Sequence, residues 1–406
     1  MSGPSRGEAS PDAPRSIAWR ISLHLAALFS VAGVHLPFFS VWLQSRGMSP
    51  TEISLILSSG ILLRLFVGPL AAQVVDRNGR RREAVMLCAW FSLAFYALLG
   101  SVEGFWAILA VWLLHTTAWA PIVPFSENIT LLASARYNLQ YGRLRLWGSL
   151  SFLVSAYLAG LWLKGRDDSW IYILIFTALL LLALCSHLLP DLRLPLNRPR
   201  MVGAPALRLL RNPLFLAFLG ANACLQATHA MFYTFGTLHW RSQGLSDAQI
   251  GFLWAEGVLA EVILFALGQR VAQRVGGVGL LLLAAAGGMI RWSMTAVTGD
   301  FTVLVALNAL HAATFGCAHL GAMRLLADGV DADASATAQS LYTAANSALL
   351  AAGTLAVGPL FAAYGGFGYL AMLPLSLCGG LCAALLWRRR AGLRFSGGAI
   401  EQSARI

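Results

Sequence analysis

From residue 17 to residue 387 the chain alternates between long apolar runs and short polar connectors. A helical run of about 20 apolar residues crosses one ~30 Å hydrocarbon core, and twelve such runs can be counted. The pattern predicts an all-α membrane protein of twelve transmembrane helices. The connectors add start signals. Ser49-Pro50-Thr51-Glu52 has the form of a capping box with proline at the first helical position, which starts the second span there. Proline inside a span frees a backbone carbonyl, which membrane helices tolerate beside polar partners or cavities. Pro37 therefore predicts a kink in the first span, and Pro121 with Pro124 a broken fourth span.

The runs fall into two groups. Residues 190–212, with four prolines and five arginines, read as a linker between a six-helix half over 17–189 and another over 213–387. Residues 1–16 and 388–406 read as polar tails, the first of them disordered and without the pattern of a cleaved signal peptide. The second half repeats the first without gaps over one region. At an offset of 197, Gly47 meets Gly244, Ser49 meets Ser246, Gly60 meets Gly257, Arg77 meets Arg274 and Gly79 meets Gly276. The capping box recurs as Ser246 and Gln249. The twelve helices thus form two pseudo-symmetric six-helix halves related by a parallel repeat.

Composition excludes a soluble chain, since 58% of residues are hydrophobic and only 12% charged. The net charge of +11 invites a nucleic-acid reading that its distribution refutes. Lys and Arg crowd the tails and alternate connectors; only Arg46, Lys164, Arg166 and Arg241 lie in the connectors between. The positive-inside rule then places both termini in the cytoplasm, in a bacterial inner membrane. The six cysteines lie in apolar runs without metal-ligand company, so neither metal nor disulfide is expected. No phosphate loop and no nucleophile–base arrangement stands out, so neither an enzyme nor a cofactor is expected.

Charges inside spans are costly, so they are usually paired, cavity-facing and functional. Glu127 ends one span region and Arg145 begins the next, eighteen residues on, across a short polar loop. They are expected to meet across antiparallel helices, with substrate held by Arg145; the plain alternative is a pair of topology anchors. Gln226 and His229 share one face of the seventh span and are expected to contact substrate from the other half. At the repeat offset Arg64 maps onto Glu261, so symmetry-related positions carry opposite intramembrane charges. Glu261, with Glu256 as second choice, is expected to carry a proton beside Arg291, His311 and His319. Structural ion pairs and satisfied core histidines are the bland competitors.

The connector after the second span reads Asp76-Arg77-Asn78-Gly79-Arg80-Arg81. It resembles the loop signature of the major facilitator superfamily, although Ala72 stands where the family usually has glycine. Leu36–Leu43, Tyr141–Gly148, Leu225–Ala230, Ala260–Ala266 and Leu310–Leu326 resemble the phenylpropionate permease branch, which is related to oligosaccharide:proton symporters of the lactose permease type. The resemblance implies a monomeric proton-coupled symporter working by alternating access on a small organic substrate, with an aromatic carboxylate favoured. A sugar or nucleoside symporter remains the alternative, and a drug-efflux antiporter a more distant one. It also implies that Asp76, Arg77 and Gly79 serve the conformational change, a role expected of Arg64 too from its intramembrane charge at the repeat position, and that Glu127, Arg145, Arg291 and His311 occupy the family's recognition and coupling positions. The family's proton-carrying glutamate of the tenth helix is Thr314 here.

Overall fold

The computed structural model describes residues 13–192, 204–389 and 393–395. Most of the tails expected over 1–16 and 388–406, and the linker core 193–203, lie outside them. Residues 13–16 are described, and they are not tail: they form the first turn of helix α1 (Ala13–Ser45).

The first half continues with α2 (Pro50–Asn78), α3 (Arg81–Leu99), the pair α4 (Phe105–Trp119) and α5 (Ile122–Tyr137), α6 (Tyr141–Leu163) and α7 (Ser169–Ser186). A short helix, α8 (Ala204–Leu210), precedes the second half. There follow α9 (Pro213–Ala227) and α10 (Ala230–Ser242), α11 (Asp247–Ala266) with its extension α12 (Gly268–Val275), and α13 (Gly277–Thr295). The tenth span comprises α14 (Phe301–Ala309), a π-helical segment Ala312–Cys317 and α15 (Ala318–Gly329). The last two are α16 (Ser335–Tyr364) and α17 (Leu373–Trp387), joined by a 3₁₀ segment at Gly365–Met372. Eleven segments of the described residues are long and apolar enough to cross a membrane; the last, of 53 residues, doubles back at Gly365 (φ 55°) and supplies two crossings. The result is a multi-pass, all-helical protein of twelve crossings.

The local signals act as read. Ser49 and Ser246 each cap a helix through a closed capping box. The fourth span breaks at Pro121, between α4 and α5. Helix α1, by contrast, runs unbroken through Pro37. The seventh span breaks at Thr228–His229 without any proline.

Within the first half α1 packs on α6 and α7, and within the second α9 packs on α16 and α17. Between halves the contacts run α2 to α16, α6 to α11 and α1 to α10. Exchanging the halves turns the second-span/eleventh-span pair into the eighth-span/fifth-span pair, so the main interface obeys the repeat. The halves meet tightly at the face opposite the termini. A Cβ on Gly160 of α6 would lie 2.9 Å from the Cα of Gly251 of α11, so the two backbones touch. The Ser54 hydroxyl of α2, bonded to the Thr51 carbonyl at 2.9 Å, also lies 3.3 Å from the Leu355 carbonyl of α16. Arg241, at the end of α10, reaches Asp168 of the first half at 2.9 Å and Asp247 of the second at 2.7 Å. On the termini side the main contacts of α5, α12 and α15 among the described residues are with their own half. Trp106, Phe66 and Leu377 are among the large apolar side chains exposed on the outside of the bundle, where lipid rather than water covers them.

Candidate functional site

Helices α5 and α6 run antiparallel because Asn138 closes α5 in a left-handed cap (φ 53°). That turn returns the chain so that Arg145 Nε lies 2.9 Å from Glu127 Oε1. The Tyr141 hydroxyl donates to Glu127 Oε2 at 2.7 Å, which occupies the second oxygen. The Arg145 guanidinium stacks over Phe29 of α1, 3.9 Å from the ring centre. Gly148 makes room for this: a Cβ there would stand 2.6 Å from the Phe29 ring and 3.0 Å from Arg145 Nη1. Arg145 Nη1 is buried and has no hydrogen-bond partner among the described residues. The expected meeting of Glu127 and Arg145 is present, and it leaves one directed donor to spare.

The second half builds a longer chain of contacts around Arg291, which is 1% exposed. Its Nη2 donates to Asn308 Oδ1 at 2.6 Å, and its Nη1 to Thr314 Oγ1 at 3.0 Å and to His311 Nδ1 at 3.2 Å. Phe232 and Trp292 lie against its faces, each 4.6 Å from the guanidinium carbon. These bonds fix the histidine tautomers, because arginine only donates. His311 Nδ1 must accept, so the proton of neutral His311 sits on Nε2, which faces Glu261 Oε2 at 3.4 Å. Thr314 accepts from Arg291, so its own proton goes to His229 Nε2 at 3.1 Å. His229 then donates from Nδ1 to the Gln226 carbonyl at 3.2 Å. The π-helical segment Ala312–Cys317 carries Thr314 and follows directly on His311. Such segments interrupt the regular helical ladder and recur at functional sites.

Both constellations face one cavity of about 230 Å³ between the halves. Arg145, Phe29 and Ser149 line it from the first half, and Glu261, His311 and Asn308 from the second, with Phe232, Tyr233, Trp254 and Phe315 as aromatic walls. A second cavity, of about 430 Å³, adjoins it across Leu36 and Tyr233 and carries Arg64. The repeat-related positions Arg64 and Glu261 therefore both face a cavity, but different ones.

Other expected residues stand elsewhere. Gln226 and His229 line neither cavity; they back the wall, His229 holding Thr314. The break at Thr228–His229 turns that face inward to the Arg291 network. His319 lies outside that chain, its Nδ1 3.4 Å from the Tyr342 hydroxyl. Glu256 lines neither cavity. Gly79 ends α2 at φ 70°, its N–H bonded to the Val75 carbonyl, which explains a glycine at that point of the loop motif. The side chains of Asp76 and Arg77 lie outside the described residues. Among the described residues no cluster able to hold a metal is present, and the six cysteines are free. Sequence reasoning missed Tyr141 as the second partner of Glu127, Asn308 as a clamp on Arg291, and the aromatic walls. Asn308 inside an apolar run was the one legible signal among them.

A family model described as MFS_1 like family matches residues 18–370. A probable 3-phenylpropionic acid transporter of Escherichia coli (strain K12) is 30% identical over 364 residues, 86% of this chain and 91% of that protein. The maltose permease of Geobacillus stearothermophilus is 28% identical over 331 residues, 79% of this chain and 82% of its own. The crystal structure of the nucleoside transporter NupG superposes with a TM-score of 0.80, at 15% identity, over 92% of this chain and 99% of that one.

Proposed function

The chain belongs to the MFS_1 like family of secondary transporters, and from that premise we propose that it is a proton-coupled symporter of an aromatic carboxylate such as 3-phenylpropionate. One observation carries this reading: a single aromatic-walled cavity between the halves holds the Arg145 guanidinium on one wall and a carboxylate joined to histidine on the other. Arg145, steadied by Glu127 and Phe29, takes the substrate carboxylate. Glu261 takes the proton, and His311 holds the carboxylate by its Nε2–H in the unprotonated state. Anion and proton bind together because each cancels the charge the other brings into a low-dielectric site. The loaded wall then carries the same net charge as the empty one, so both can cross the alternating-access step. The distribution of Lys and Arg supports cytoplasmic termini in a bacterial inner membrane. In that orientation the sealed face is the outer one, and the protein, working as a monomer, rests open to the cytoplasm.

A sugar or nucleoside reading rests on the same Glu127–Arg145 pair, which could also bind hydroxyls. Uptake into proteoliposomes separates the two. With the outside more acidic, vesicles containing the protein should accumulate labelled 3-phenylpropionate above protein-free vesicles, and an uncoupler should remove the excess. Accumulation of maltose or a nucleoside instead would overturn the aromatic reading, and uptake indifferent to the pH gradient would overturn proton coupling.

A further inference from the structure

The larger cavity, about 430 Å³, has no part in the mechanism above, yet its chemistry is specific. Arg64 of α2 lines it. Its Nε donates to the Gly60 carbonyl at 3.3 Å, and no carboxylate of the described residues pairs with it. Arg145, by contrast, is already matched by Glu127. Arg64 is thus the guanidinium of the two cavities whose charge nothing on the wall offsets. Such an intramembrane charge is kept only where it has a use.

The surroundings fit an anion that carries a ring. His35 stacks on Phe39 at 4.5 Å and on Trp112 at 5.5 Å between ring centres. His35 Nε2 and Trp112 Nε1 are buried without any hydrogen-bond partner among the described residues. His115 is held at Nδ1 by the Ser92 carbonyl, 2.9 Å away, and stacks on Trp112 and Trp119. A stacked aromatic face beside an unmatched guanidinium is a receptor for a planar carboxylate. The site is built mainly from the first half, with Tyr233 and Thr234 of α10 and Ser347, Leu350 and Thr354 of α16 closing it from the second.

We propose that this cavity is a second binding site for an aromatic carboxylate, with Arg64 as the group that takes the carboxylate. It is distinct from the Arg145–Glu261 cavity and adjoins it at Leu36 and Tyr233, so substrate can pass from one to the other by displacement of those two side chains. The proposal rests on the aromatic-acid reading above.

Equilibrium dialysis of the purified full chain against labelled 3-phenylpropionate tests it. The wild type should bind two molecules per chain at saturation, and Arg64→Gln one. Arg64→Gln should leave binding of the neutral amide, 3-phenylpropanamide, within twofold, a discrimination that general loss of structure would not give. Ser347→Asp supplies an independent variant: it sets a carboxylate in the wall facing the cavity without removing any packed group, and it too should bind one molecule of acid. One molecule per wild-type chain, or two on both variants, would overturn the second site and leave the first intact. No binding of the acid to the wild type would overturn both readings together.

Discussion

At the scale of single residues, the tautomers imposed by Arg291 give Glu261 and Thr314 separable roles. Glu261 meets His311 and faces the cavity. Glu261→Gln keeps a polar partner for His311 but cannot take a proton at this acidity. It should abolish accumulation against a gradient while leaving at least half of the exchange measured by counterflow. A variant that still concentrates substrate would remove Glu261 from the coupling step. Thr314 is a structural node. Thr314→Val preserves volume but leaves Arg291 Nη1 and His229 Nε2 each short of a partner, at a cost of about 1–3 kcal/mol for each group left unsatisfied. The melting temperature in detergent should fall measurably, and an unchanged value would mean that water replaces the hydroxyl. The Glu127–Arg145 pair was legible in the sequence because opposite charges flank one short loop, and loop length limits where they can go. Thr314 was legible only as a departure from a glutamate. Its two partners, His229 and Arg291, come from the seventh and ninth spans, and no local pattern announces such a meeting.

At the scale of elements, helix boundaries follow local chemistry and helix breaks follow it only in part. The two capping boxes and the interruption at Pro121 were readable because serine, glutamate, glutamine and proline act on the backbone of their own turn. The break at Thr228–His229 and the π-helical segment were not, since nothing in their own turns forbids a regular helix and the Arg291 network, a tertiary feature, surrounds both. Close approach of α6 and α11 is a further element-level property. Gly160 has no room for any side chain against Gly251, and the Gly-rich fifth span hinted at this without showing which helix would approach. Gly160→Val should hold the halves apart at that face and stop transport. In a background without native cysteines, a cysteine at position 40, on the cavity wall, should then react faster with an impermeant maleimide added outside. Equal reactivity with and without the Gly160→Val change would show that the contact is not what keeps that face shut.

At the scale of the whole molecule, the twofold pattern of interfaces was foreseeable from the 197-residue repeat, whereas the distribution of chemistry between halves was not. Arg64 and Glu261 occupy equivalent positions, yet one faces an aromatic cavity in the first half and the other the histidine-linked wall of the second. The repeat thus conserves where a polar side chain points and leaves its charge free to diverge. Recognition and proton handling can therefore evolve separately on a shared frame.

The Asp168–Arg241–Asp247 cluster ties these scales together. All three side chains are partly solvated, at 29%, 25% and 13% exposed, and at physiological salt charges are screened beyond about 8 Å. An ion pair of this exposure contributes roughly 0.5–1 kcal/mol, equivalent to a two- to fivefold bias between the two access states. In the orientation proposed above, with both termini in the cytoplasm, the clasp faces the medium outside the cell, so the salinity of that medium acts as an effector: brine loosens the outer seal and fresh water tightens it. Single-molecule distance measurements across the outer face should show the open fraction rising severalfold between 10 mM and 1 M potassium chloride, with Arg241→Gln flattening the response. A response that survives that substitution would place the salt sensitivity elsewhere.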